Sequence, residues 1–192
     1  MGAFFIKVVE DETTKSVSSP VVVRNTCCFM EVISCSRLDD WSGSSASFRY
    51  QIPELSTKYT VISYDLRGHG KSDIASDGYT IERYAQDLNN LLDHFNLERV
   101  SLIGWSLGAF VSFEYVKQYG CTRLNKFVIV DMTSKLITEE GYSHGLYGNY
   151  TEKDALLFLA KMNDSWKSFA DFFVPTLYAS NVDIAPRYLK QA

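Results

Sequence analysis

The sequence predicts an α/β fold: a mostly parallel sheet with flanking helices, followed by a partial helical cap. Two observations predict it. From about residue 20 to residue 131, short β-branched runs alternate with stretches whose apolar residues recur at helical spacing. Such alternation implies right-handed crossovers between parallel strands. After Asp131 the strand signal stops and helical patterning follows a polar loop.

Each element has its own signal. Residues 20–23, Pro-Val-Val-Val, form a β-branched run. Residues 48–55 read as a short helix and residues 59–64 as a strand. Ile81, Tyr84, Ala85, Leu88, Leu91, Leu92 and Phe95 fall on one helical face. Residues 100–103 read as a buried strand, residues 106–119 as a helix capped by Gly120, and residues 127–130 as the next strand. Residues 136–150 are rich in Gly, Tyr and polar side chains, a loop signature. Residues 152–180 read as helical, with Pro175 ending or kinking the second helix. The expected organisation is a core over residues 1–135, with an atypical segment at 24–40, and a cap or lid over residues 136–192.

Composition excludes several classes. A chain of 192 residues, 46% hydrophobic and 22% charged, suits one globular domain with a sizeable core. The net charge is -4 with no basic block, so nucleic-acid binding has no electrostatic support. No apolar run is long enough to span a bilayer. The N-terminus lacks the features of a signal peptide, and Ile6 breaks the myristoylation pattern at Gly2. A cytoplasmic location is expected. Cys27, Cys28, Cys35 and Cys121 lack paired CxxC spacing and read as reduced thiols, so no metal and no cofactor is implied. Two glycosylation triplets, at Asn149 and Asn163, read as chance matches.

Two motifs carry chemistry. Gly104-Trp105-Ser106-Leu107-Gly108 follows a strand and opens a helix. This is the context of a nucleophile elbow, a tight turn that needs small residues on either side of the serine and lifts its hydroxyl clear. The Leu107 backbone N–H then faces a developing oxyanion. The second motif is Asp65-Leu66-Arg67-Gly68-His69-Gly70-Lys71-Ser72-Asp73. Gly70-Lys71-Ser72 imitates a P-loop ending, but position 65 is Asp where Gly is needed. Gly68-x-Gly70 imitates a dinucleotide fingerprint, but its third glycine position is Asp73. A structural βα loop remains. Asp65, Ser106 and Asp131 each follow a strand and are expected to share one rim.

Together these two motifs resemble the α/β-hydrolase superfamily, in its esterase and cofactor-free haloperoxidase-like branch; residues 47–55 and 128–135 resemble it too. The resemblance implies a serine hydrolase acting through an acyl-enzyme on Ser106, with a His as base and an Asp orienting it. Serine at the elbow argues against an epoxide hydrolase or haloalkane dehalogenase, which use Asp there. The aromatic residues Tyr142, Tyr147, Tyr150, Trp166, Phe169, Phe172 and Phe173 suggest a lid over a small apolar ester-like substrate.

The chain also departs from that pattern. The triad order is Ser, acid, then His. The resemblance places acid and base after strands beyond the cap, and those final strands are missing, so the chain is expected to be C-terminally truncated. Within the sequence, Asp131 and His144 are the candidates that keep the order, and His144 is the only histidine after Ser106. His69 and His94 read as structural. The resemblance also places His-Gly before Trp41, to supply the second oxyanion N–H, but Asp39-Asp40 stand there. Residues 24–40 are therefore expected to be a foreign insertion. The alternative to an enzyme is a non-catalytic remnant or binding module of the same fold. Oligomeric state is not read from the sequence, although an exposed sheet edge offers a place to pair.

Overall fold

The computed structural model describes the backbone of residues 6–10, 13–16 and 28–33, and then residues 48, 50–69 and 72–173. Among these, six strands form one sheet: β1 (Ile6–Glu10), β2 (Thr13–Ser16), β3 (Cys28–Ile33), β4 (Val61–Asp65), β5 (Val100–Trp105) and β6 (Leu124–Val130). Their order is β2-β1-β4-β3-β5-β6. β4, β3, β5 and β6 are mutually parallel, while β1 runs antiparallel to both β2 and β4. The α/β fold with a mostly parallel sheet is thus present.

Two results differ from expectation. β1 and β2 were not anticipated, although Ile6-Lys7-Val8-Val9-Glu10 is rich in β-formers. β3 falls inside residues 24–40, the expected insertion, yet it lies between β4 and β5 at the centre of the sheet. Its run Cys28-Phe29-Met30-Glu31-Val32-Ile33 is apolar enough for a central strand, with Glu31 the one charged residue. The strand expected at residues 20–23 lies outside the described residues, as do Asp39, Asp40 and Pro175.

The helices follow their patterns. α2 (Ile81–His94) starts at Thr80, whose side chain accepts the Arg83 N–H at 3.3 Å. Its buried stripe of Tyr84, Ala85, Leu88, Leu91 and Leu92 packs with Ile62, Tyr64, Val100 and Leu102 of the sheet. α3 (Leu107–Tyr119) joins this face through Val111 and Tyr115 and ends at Gly120, which has φ 74°. α1 (Gln51–Ser56) covers the opposite face of β4, where Ile52 meets Val61. Strand alternation explains the split, because Val61 and Ile62 point to opposite sides.

The chain forms two compact units, the first reaching to Met132 and the second beginning at Thr133. In the second unit, α4 (Glu152–Asp164) opens with a capping box in which Thr151 and Asp154 satisfy each other's backbone N–H. α5 (Trp166–Phe173) follows, and Phe158 meets Phe169 and Phe173 edge-on at centroid distances of 4.8 and 5.6 Å. The loop before α4 contains a one-turn 3-10 helix, Leu146–Gly148, with Tyr147 at φ 56°.

Leu88, on the inner face of α2, is completely buried. Leu88→Ala is expected to lower the unfolding free energy by about 2–5 kcal/mol, read from the urea midpoint.

Candidate active site

The elbow is built by close packing. A Cβ on Gly104 would sit 2.7 Å from the Gly108 carbonyl oxygen and 2.8 Å from the Ala109 N and Cα. Only glycine lets β5 and α3 approach this closely. The turn between them falls on Ser106, held at φ 52° and ψ -120°, a conformation that costs a non-glycine residue about 1–3 kcal/mol. Neighbours support it. The Ser106 N–H donates to the Val130 carbonyl of β6 at 3.4 Å, and the Ala109 N–H donates to the Ser106 carbonyl at 3.0 Å. Ser112 Oγ donates to the Gly108 carbonyl at 2.8 Å. Ser106 is left exposed at the carboxyl end of β5, and its side chain makes no capping bond. The Leu107 and Gly108 amides sit in the first turn of α3, ahead of any intrahelical acceptor.

The rim expected from the sequence is present. Val32 of β3 pairs with Tyr64 and with Gly104, and Trp105 pairs with Val130. Asp65, Ser106 and Asp131 therefore end or follow strands at the same edge of the sheet. Asp131 is exposed and, like Ser106, turns through positive φ, at 50°. Asp65 is buried, and its carbonyl accepts Ser72 Oγ at 2.6 Å.

The loop after β4 is internally bonded. Gly68 N–H reaches the Asp73 carbonyl at 3.1 Å, and His69 and Ser72 each bond back three residues at 2.9 Å. Gly68 has φ 70° and lies against the Tyr79 ring, which a Cβ there would have to displace. Asp87 of α2 anchors the loop. Its carboxylate, almost fully buried, accepts Arg67 Nε at 2.9 Å and Nη2 at 2.8 Å, and Arg83 Nε at 3.2 Å. Asp87 holds the Arg67 guanidinium above its ordinary pKa. This network escaped the sequence reading; its one legible trace was the four-residue spacing of Arg83 and Asp87. Beside it, the buried Tyr64 hydroxyl has no hydrogen-bond partner among the described residues, and burial pushes its pKa up.

The histidines separate cleanly. His69 is buried, stacks edge-on against Tyr84 at 5.8 Å, and its Nδ1 lies 2.7 Å from the Arg67 carbonyl. A carbonyl only accepts, so Nδ1 carries the hydrogen. His94 is exposed at the end of α2, just before β5 begins, and so at the end of the parallel strands opposite the elbow. His144 belongs to the second unit. It is exposed, its carbonyl accepts Thr133 Oγ1 at 2.9 Å, and its ring meets Tyr142 edge-on at 6.0 Å. Thr133 has one hydroxyl hydrogen and gives it to His144, so the Tyr142 hydroxyl donates to Thr133 at 2.8 Å. The Tyr142 hydroxyl also lies 3.2 Å from Ser134 Oγ. The Ser134 hydroxyl beside it lowers the Tyr142 pKa. This hydroxyl chain was also missed by the sequence reading. Among the described residues, no cluster of three or more His, Cys, Asp or Glu could hold a metal, and no helix is long and apolar enough to cross a membrane.

The family model described as the alpha/beta hydrolase fold matches residues 41–176, and the chain belongs to that family. Among curated relatives it is similar to 3-oxoadipate enol-lactonase 1 of Acinetobacter baylyi, with 29% identity over 93 residues, 48% of this chain and 34% of that protein. The match thus spans about a third of the relative's length. Among solved structures it is similar to an esterase from Exiguobacterium antarcticum, with TM-score 0.71 and 22% identity, covering 100% of this chain and 65% of that one. It is also similar to a bromoperoxidase from Bacillus anthracis, with TM-score 0.75 and 23% identity, covering 100% and 67%. At these identities the structures show a shared fold.

Burial pushes the His69 pKa below the ordinary histidine value, against smaller opposing effects of the Arg67 carbonyl and Asp65. The folded state therefore favours neutral His69. Its contribution is fully present above the unfolded pKa of about 6.5 and is lost as the pH falls below it. Wild type is expected to lose more of its urea midpoint between about pH 7.5 and about pH 5 than His69→Gln does. Equal losses would contradict this assignment.

Proposed function

We propose that this chain carries the nucleophile of a serine hydrolase that acts on small apolar carboxylic esters. The observation that carries the reading is the backbone of Ser106, at φ 52° and ψ -120°, forced by the packing of Gly104 and leaving the hydroxyl exposed on the rim. Membership of the family and similarity to an enol-lactonase support it, since a lactone is a cyclic ester. In this reading Ser106 Oγ gives its proton to a base as it bonds to the acyl carbon. The negative charge that forms on the carbonyl oxygen is met by the Leu107 N–H, at the N-terminal end of α3. Collapse expels the alcohol, which takes up the proton, and water then releases the acid from Ser106. By chain order, Asp131 and His144 are the acid and base to be tested.

A second reading has an observation of its own. Within the first unit, His69 commits Nδ1 to the Arg67 carbonyl, and His94 lies at the far end of the strands. No hydrogen bond joins either ring to Ser106 among the described residues, which favours a non-catalytic member of the fold, a binding module with an inert elbow.

A fluorophosphonate probe separates the two readings. The hydrolase reading expects labelling of wild type, none of Ser106→Ala, and a loss of at least about tenfold in labelling rate for His144→Ala and Asp131→Asn if they are base and acid. No labelling of folded wild type would favour the binding module.

A further inference from the structure

We propose that Asp77-Gly78 is a self-modification site, at which the folded chain converts Asp77 to isoaspartate through a cyclic imide. Gly78 is the one glycine of the sequence that follows an Asp or an Asn. Ring closure needs the next residue's backbone nitrogen to reach the side-chain carboxyl, and a residue without Cβ leaves that nitrogen unhindered. Both reacting groups are available. Asp77 is exposed, in the loop between β4 and α2, and Gly78 has φ 80°. Among the described residues the Asp77 carboxylate has no ion-pair or hydrogen-bond partner, and the Gly78 N–H has no acceptor. The nucleophile and the carbon it attacks belong to adjacent residues, so no encounter has to be paid in entropy.

The step balances without a co-reactant. The Gly78 nitrogen bonds to Asp77 Cγ, and the carboxyl OH and the amide hydrogen leave together as water. The five-membered imide then takes water back at one of its two carbonyls. Opening at Cγ restores aspartate. Opening at the main-chain carbonyl leaves Gly78 bonded to Cγ, so the backbone gains one methylene and the old main-chain carbonyl becomes a free carboxylate. Nothing is oxidised or reduced. The neighbours give the change a consequence. The Tyr79 hydroxyl donates to the Ala75 carbonyl at 2.7 Å, which closes a ring of chain around Asp77-Gly78. The Tyr79 ring covers Gly68, and a Cβ on Gly78 would lie 3.1 Å from Arg83 Cγ and 3.6 Å from Arg67 Cδ. Both arginines bond to Asp87. A backbone one methylene longer must shift one of these contacts, so the change is felt in the loop that follows β4.

Prolonged incubation of the full chain at near-neutral pH in heavy-oxygen water tests this, followed by return to ordinary water, digestion and mass spectrometry. The peptide carrying Asp77 is expected to gain one heavy oxygen atom and to split into two chromatographic forms. The new form is expected to accept a methyl group from an isoaspartate-specific carboxyl methyltransferase. Conversion at Asp77 is expected to exceed that at any other Asp by at least about tenfold, about 1.4 kcal/mol in the barrier. Asp77→Glu, which would need a six-membered ring, is expected to stay unlabelled at that position. A free peptide spanning Ile74–Thr80 sets the unhindered rate, and the folded chain is expected to reach at least about a tenth of it. The proposal is overturned by an Asp77 peptide that stays unlabelled, by label spread equally over the other aspartates, by a glutamate variant that labels as wild type does, or by a folded-chain rate more than about tenfold below the peptide's.

Discussion

The contact between Gly104 and the first turn of α3 is the constraint on which the rest of the site depends. With 2.7 Å between a would-be Cβ and the Gly108 carbonyl, strand and helix meet with nothing but backbone between them. The chain must reverse over one residue, and Ser106 takes a backbone conformation that side chains rarely adopt. That strain persists because its surroundings over-determine it. β6 receives the Ser106 N–H, Ala109 bonds back to Ser106, and Ser112 secures the Gly108 carbonyl. The elbow is thus joined to β6 as well as to its own helix, and a change in β6 reaches Ser106 through Val130.

A second framework holds the neighbouring loop. Arg67 reaches from the end of β4 to Asp87 on α2, with both ion-pair partners largely shielded from water. A buried pair of this kind gains little net stability over apolar packing, because desolvation offsets most of its attraction. Its geometry is specific, however. The bidentate contact orients Arg67, whose carbonyl in turn fixes His69 Nδ1. The result is a neutral imidazole packed on Tyr84, a structural role for the one histidine that the sequence places beside the rim.

Much of this was legible in the sequence where a local rule and the fold agreed. The stripe from Ile81 to Phe95 became α2, the glycines around Ser106 marked the elbow, and Gly120 ended α3. The failures came where the signal is non-local. β1 and β2 are short, and pairing with each other and with β4 defines them more than composition does. β3 lies where residues 24–40 depart from the family pattern, yet a run from Cys28 to Ile33 needs only apolar character to sit between two parallel strands. The Arg67–Asp87 pair spans 20 residues, and the hydroxyl chain from Tyr142 through Thr133 to the His144 carbonyl depends on loop geometry that no spacing rule encodes.

The central claim is that the strained elbow presents a working nucleophile, and trapping its covalent intermediate tests that most directly. The chain would be mixed with p-nitrophenyl acetate, quenched in acid and digested, and the peptide carrying Ser106 weighed by mass spectrometry. A mass gain of one acetyl group on that peptide, assigned by fragmentation to Ser106, is the expected result. A folded chain whose Ser106 peptide stays unmodified, while exposed lysines acetylate slowly as in any protein, would contradict it.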